Sequence, residues 1–444
     1  MTEENKSDPS LLAPYLGRLN ESPAHRLLGV VREMTGLTVA ATLPDGRIGD
    51  VVLIEMAGKA PLAAEIVGFR NNTSLLMPLG DTDGIGIDAE VENTHAGFQI
   101  RCGEGLLGRV LDGLGNPIDG LGPLTDEETA PWPVQRPAPR PLERALIQEP
   151  LETGVRVIDG LLTIGRGQRM GLFAGAGVGK SSLLGQIARH NGADVTVICL
   201  VGERGREIRE FRESLPKEVL ERSVFVCATS DEPSLVRLKS AQVATAISEW
   251  FRDRGDHVLL LMDSLTRFAR AQREVGLAAG EPPVRRGYPP SVFRQLPRLV
   301  ERGGTGQHGA ITAIYTVLVA GDDLTEPIAD EARALLDGHI TLSRTLAEQG
   351  HWPAIDVLRS TSRVMSRVVS GDHADAAAAL RQHLSVYEEH RDLIRIGAYQ
   401  YGSNAVVDRG IDDHKEWEFF LRQAIDDRTG LQETLDSLID LALV

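Results

Sequence analysis

The sequence predicts an α/β protein in four stretches: an N-terminal segment (1–24), a small β-barrel (25–95), a central parallel-sheet domain (96–370) and a helical C-terminal domain (371–444). Three observations carry that prediction. From about His25 to Ile100, short β-prone runs such as "LTVAATL", "DVVLIEM" and "LAAEIVGF" alternate with "PDGRIG", "AGKAP" and "RNNTS", a strand length and spacing that suits a small sandwich or barrel. From about Glu152, the apolar runs "VTVICLVG", "SVFVCATS", "HVLLLMDS" and "AITAIYTVLVA" alternate with longer helical stretches, as strands covered by helices on both faces require. After Gly371 the helical period dominates, and Leu431, Leu435, Leu438, Ile439 and Ala442 share one helical face. Between barrel and sheet, "GEGLLGRVLDGLGNPIDGLGPL" and "APWPVQRPAPRPLER" are expected to run extended over the surface, because so much proline fits no regular element.

A chain of 444 residues exceeds what one hydrophobic core serves, so two or three domains are expected. Its 42% hydrophobic and 25% charged content is that of an ordinary folded protein and excludes a disordered one. The net charge of −16 argues against a broad nucleic-acid surface, which needs Lys and Arg to neutralise phosphates. Cys102, Cys199 and Cys227 are odd in number and widely spaced, which suits neither a disulfide framework nor a zinc motif and points to a reducing cytoplasm. No run of eighteen apolar residues occurs, and "MTEENKSDPS" is polar where a secretory signal would be basic and then apolar.

The stretch "GLFAGAGVGKSSLLGQIARH" places four glycines in the nine positions from Gly171 to Gly179. A glycine-rich turn between a strand and a helix aims successive backbone N–H groups at one point, where the helix dipole adds positive character, and the absence of side chains lets phosphate approach. Gly175, Ala176, Gly177, Val178, Gly179, Lys180, Ser181 and Ser182 are the predicted cradle, with the Lys180 ammonium on the β and γ phosphates and the Ser181 hydroxyl on Mg²⁺. Ala174 stands where the strict pattern has glycine, at the edge of the loop. "RMGLFA" before the loop reads as a strand and "SSLLGQIAR" after it as a helix, so the central domain is expected to bind a nucleotide through a P-loop. Further on, "HVLLLMDS" is an apolar strand ending in Asp263, the second-motif arrangement that anchors Mg²⁺ through its water shell.

With "GERGRE", "DSLTRFARAQRE", "GEPPVRRGYPPSVFRQLPRLVERGG" and "EPIADEARALLDGHITLSR" added, the sequence from about Leu27 onward resembles the catalytic subunit of rotary ATP synthases and, more closely, the type III secretion ATPases. The resemblance implies a RecA-like central domain that takes ATP, that Glu203 orients the attacking water, that Arg204 lies near the phosphates, and that Arg267 supports the pocket. It implies that Arg363, in "RSTSRVM", is an arginine finger reaching a neighbouring subunit's site, a role that stabilises charge spread over the transferring phosphoryl oxygens. Trp352, in "HWPAID", stands where relatives commonly carry a tyrosine stacked on adenine, and its indole offers a larger face for the same purpose.

The same resemblance implies a homohexamer joined through the barrel, a stator-like regulator at residues 1–24, a stalk protein, and chaperone–substrate complexes at the C-terminal domain. It implies a cytoplasmic protein peripheral to the inner-membrane secretion apparatus. The proline-rich segment Gly280 to Arg298 is expected to form a stiff loop near a central pore. Three competing readings stand beside the export ATPase: a noncatalytic ring subunit, which Glu203 opposes; a hexameric RNA helicase, which the acidic balance opposes; and a proton-coupled synthase subunit, which "GEPPVRRGYPPSVF" opposes. Within the secretion family "HWPAIDVL" and "STSRVM" lean toward the injectisome over the flagellum.

Overall fold

A computed structural model describes residues 28–319, 321 and 323–443, in two compact units divided between Phe98 and Gln99. The N-terminal segment 1–24, with its expected regulator contact, lies outside the described residues. The first unit is a closed barrel of six strands, β1 (Leu28–Thr35), β2 (Thr38–Thr42), β3 (Asp50–Ile54), β4 (Leu62–Arg70), β5 (Thr73–Pro78) and β6 (Glu90–Gly97), joined in the order β1-β2-β5-β4-β3-β6. Closure removes the exposed edges that would otherwise pair with other chains. Val31, Val39, Val52, Ile66, Leu76 and Val91 fill the interior, and along β3 and β6 the buried residues alternate as in a half-buried strand. The β4–β5 hairpin turns on Asn71 and Asn72, both at positive φ, the two-residue geometry that matches strand twist and that asparagine tolerates.

The second unit is built on a mixed sheet whose main path runs β14-β13-β8-β12-β11-β9-β10-β7. Its strands are β7 (Val110–Asp112), β8 (Arg169–Ala174), β9 (Val195–Glu203), β10 (Ser223–Thr229), β11 (His257–Asp263), β12 (Ala310–Leu318), β13 (Gly338–Leu342) and β14 (Ile355–Ser362). Neighbours along this path are parallel except β13 and β14. All of β9 and β11 is buried, which explains why these strands read as unbroken apolar runs and not as alternating ones.

Two expectations are corrected. The glycine-rich stretch after the barrel does not run wholly over the surface: Val110–Asp112 pairs in parallel with β10, and Leu111 is fully buried. Three residues between glycine turns are too few for a periodic signal, yet the sheet edge offers β10 a partner. The segment Gly280 to Arg298 is not all loop either, since Pro290–Val300 is a helix with proline in its first turn, where the missing N–H would have had no partner anyway.

The C-terminal helices Gly371–Arg395, Ala405–Asp412, His414–Leu421 and Leu431–Leu443 pack on this unit. Trp417 and Phe420 join its core, and Gly160 permits the approach: a Cβ there would lie 2.9 Å from Cζ of Phe420. The face expected for the last helix is the packed one, with Leu438 fully buried and Thr434, on the same face, buried with it.

Candidate active site

The carboxyl ends of β8, β12, β11 and β9 lie side by side, and in an open α/β sheet ligands bind outside such ends. From β8 the chain passes through Gly175–Gly179 into the helix Lys180–His190. Gly177 and Gly179 hold φ of 76° and 84°, a left-handed conformation that a Cβ makes costly. Val178 turns its side chain into the core, so its contribution to the cradle is its backbone. Ala176, Ser181 and Ser182 are exposed, and the loop borders a cleft of about 1040 Å³.

Acidic and basic groups meet at the floor of this cleft, which Lys180, Glu203 and Arg267 line. Lys180 Nζ donates to both carboxylate oxygens of Asp263 and lies 3.7 Å from Oε1 of Glu203. Asp263 also accepts a hydrogen bond of 2.7 Å from the Thr316 hydroxyl on β12. Glu203 is aimed by local backbone geometry: pairing between β9 and β10 slips in register between Val201 and Glu203, with Gly202 at a φ of 67°. Irregularities of this kind re-aim a side chain at a strand end. Ser264 then caps the helix Leu265–Ala278, its hydroxyl accepting from the Arg267 N–H at 3.2 Å. One turn in, Arg267 donates to Glu203 Oε2 at 3.0 Å and to the Gly202 carbonyl.

Glu203 is 5% exposed, and its Oε1 is buried with no hydrogen-bond partner. Burial, with the Asp263 charge second, holds its carboxyl above the ordinary range despite Lys180 and Arg267. The arrangement therefore offers a carboxylate inclined to accept a proton, with one oxygen that no hydrogen bond occupies. Ser181 and Asp263 border a smaller side cavity of about 270 Å³ that also reaches Glu203. A hydroxyl and a carboxylate are the hard oxygen donors Mg²⁺ prefers, and the ion ordinarily completes its octahedron with water and phosphate oxygens. No group of three His, Cys, Asp or Glu side chains able to hold a metal by themselves occurs among the described residues, so these donors fit an ion that arrives with a nucleotide.

Trp352, 42% exposed, borders the same cleft and covers the loop itself: a Cβ on Gly179 would lie 2.6 Å from its Cζ3. Arg204 reaches the rim, but its exposed side chain pairs with Glu207 at 3.3 Å and not with the groups on the floor. Arg363 does not border the cleft. It follows β14, the edge strand, which starts three residues after Trp352 and runs antiparallel to β13, away from the carboxyl ends that border the cleft. Eight strand residues separate the two, roughly 25 Å of chain.

Sequence reasoning missed Thr316, which reads as one more β-branched residue in an apolar strand, and Gln423, Ala424 and Ile425, which border the cleft from the loop after the helix His414–Leu421. Gln423 donates through its N–H to the Trp352 carbonyl, and Gln186 of the P-loop helix donates to the Ala424 carbonyl at 3.3 Å. No local motif announces a loop that far along the chain.

Residues 154–362 match the ATP synthase alpha/beta family, nucleotide-binding domain, and residues 369–440 match the T3SS EscN ATPase C-terminal domain. The chain is 51% identical to the type 3 secretion system ATPase of Xanthomonas euvesicatoria, covering 93% of each. It is 49% identical to the flagellum-specific ATP synthase of Bacillus subtilis, covering 94% of this chain and 96% of that one. The assembled ATPase EscN from the enteropathogenic E. coli type III secretion system superposes with a TM-score of 0.89 at 44% identity, covering 93% of this chain and 100% of that one.

Proposed function

Because the chain belongs to the ATP synthase alpha/beta family, in the branch holding type 3 secretion system ATPases and flagellum-specific ATP synthases, we propose that it is a magnesium-dependent ATPase that energises protein export. The observation that carries this reading is the unpartnered, buried Oε1 of Glu203 beside Lys180 at the P-loop.

In this reading the backbone of residues 175–179 and the Lys180 ammonium hold the β and γ phosphates. Ser181 and Asp263 hold Mg²⁺, which when bound neutralises charge on the phosphoryl oxygens. Glu203 positions water through Oε1 and takes its proton, a task for which a raised carboxyl is suited because general bases work best near the operating pH. Arg267 fixes Glu203 from the side away from Lys180. Trp352 and the loop at Gln423–Ile425 shelter the base. A noncatalytic ring subunit has no use for a water-orienting carboxylate. The experiment is phosphate release with and without magnesium, in the parent and in Lys180→Ala and Glu203→Gln; magnesium-independent release, or parental turnover in Lys180→Ala, rejects the reading.

Arg363 completes the site of a neighbouring copy, so the working form is a homohexamer with the barrel as its oligomerisation domain. The relative EscN was solved assembled and also in complex with its central stalk EscO, which supports a stalk partner here. The helices beyond residue 371 receive chaperone–substrate complexes, residues 1–24 contact a stator-like regulator, and the ring works in the cytoplasm against the inner-membrane apparatus. Relatives of both branches match at 47–51% identity, so the injectisome assignment rests on "HWPAIDVL" and "STSRVM" alone, and neighbouring genes test it.

A further inference from the structure

Two side chains donate to the Asp263 carboxylate among the described residues, and they are not equivalent. Lys180 is the P-loop lysine, whose ammonium the reading above gives to phosphate. Thr316 is fully buried on β12, the strand beside β11, and its hydroxyl donates to Asp263 Oδ1 at 2.7 Å. When a nucleotide enters, its β and γ oxygens compete with Asp263 for the Lys180 ammonium. Thr316 has no such alternative. A β-branched side chain on a buried strand is stiff about χ1, so its hydroxyl stays where the backbone puts it.

We propose that Thr316 is the positioning residue for the magnesium-binding carboxylate: its hydroxyl holds Asp263 by one oxygen after Lys180 has moved to the phosphates, leaving the other oxygen directed to the water shell of the ion. The inference rests on the magnesium–nucleotide reading of this site and deepens it. Partners one step behind a metal's own ligands orient those ligands, and their loss weakens metal affinity by roughly 10- to 100-fold. Thr316 does not touch phosphate, so nucleotide affinity without metal is independent of it.

The test is calorimetric titration of ADP into the nucleotide-free full chain, first in EDTA and then at stepped Mg²⁺ concentrations. Thr316→Val keeps the shape and removes the donor. Its affinity for ADP in EDTA should equal the parent's, while the Mg²⁺ concentration that half-maximally enhances binding rises roughly tenfold or more. Thr316→Ser, which restores a hydroxyl, should return most of the difference. An unmoved Mg²⁺ midpoint in Thr316→Val overturns the proposal, as does an equal loss of ADP affinity in EDTA. Thr316→Ala is read the same way if the valine variant does not fold. Should the parent bind ADP under neither condition, the nucleotide-site reading itself falls; a parent that responds to Mg²⁺ beside a variant that responds identically removes only the role of Thr316.

Discussion

Gln423 is tied to Trp352 by a backbone hydrogen bond of 2.9 Å, and its side chain extends the tie: Oε1 accepts from the Arg156 N–H at 2.9 Å and Nε2 donates to the Gly154 carbonyl at 2.8 Å. The loop that borders the cleft beside Trp352 is thereby anchored to the segment where the match to the nucleotide-binding domain begins. Gln423→Ala leaves both groups unpaired in a buried place, a cost of about 1–3 kcal/mol each at most. The expected result is a several-fold rise in KM for ATP with kcat within about twofold, because the lost contacts shape binding and not the reacting end. Steady-state kinetics and a urea titration check it, and an unchanged KM means the loop does not shape the base site.

Gly179 and Trp352 give a second prediction. An alanine at 179 meets two penalties, a φ of 84° and the indole at 2.6 Å. The conformational part alone is about 1–2 kcal/mol. Gly179→Ala is expected to lose most nucleotide affinity. Adding Trp352→Ala should return part of it, because the second change relieves the collision but not the backbone strain. Strict additivity in this double-mutant cycle, measured with a fluorescent nucleotide, means the two residues do not touch in solution.

The proposed role of Glu203 links catalysis to stability. Burial and the Asp263 charge hold its carboxyl above the ordinary range, so as pH climbs past that range the unfolded chain releases a proton that the folded chain keeps. The folded state then binds more protons, and stability falls with rising pH. Glu203→Gln cannot ionise. The variant should lose on the order of 100-fold or more in turnover, yet melt higher than the nucleotide-free parent at neutral and alkaline pH, with the gap closing in acid where both side chains are neutral. A gap that widens toward acid pH reverses the sign of this argument.

What could be read beforehand follows from how local each signal is. Residues 174–182 and Asp263 are announced by a loop and a strand end in continuous sequence, because the phosphate nest and metal-binding carboxylate proposed for them each need one short piece of backbone. Glu203 was legible only through resemblance, since "GERGREIREFRE" is a run of opposite charges; the register slip at Gly202 that aims it has no sequence signature beyond the glycine. Gln423 meets Gly154 across 269 positions of chain, a contact made by the packing of the helix His414–Leu421 on Gly160, which no periodicity encodes. The edge strand Val110–Asp112 was hidden among turn residues for the same reason: its partner lies far away in sequence.

Arg363 is the residue whose proposed role depends most on a second chain. It is exposed at the far end of β14, where its guanidinium donates to the Arg333 carbonyl at 3.3 Å, and a strand length of roughly 25 Å keeps it from its own P-loop. Arg363→Ala should therefore retain nucleotide affinity and lose about 10³-fold or more in turnover. Mixing supplies the sharper measurement. Glu203→Gln chains carry an intact finger and Arg363→Ala chains an intact water-orienting carboxylate, so a mixed ring contains interfaces with both. Two variants that are inactive apart should regain roughly a quarter of parental activity when combined in equal amounts and allowed to exchange, as expected for random assembly around a cyclic interface. If the mixture stays as inactive as its components while nucleotide binding and assembly are intact, Arg363 does not act across the interface.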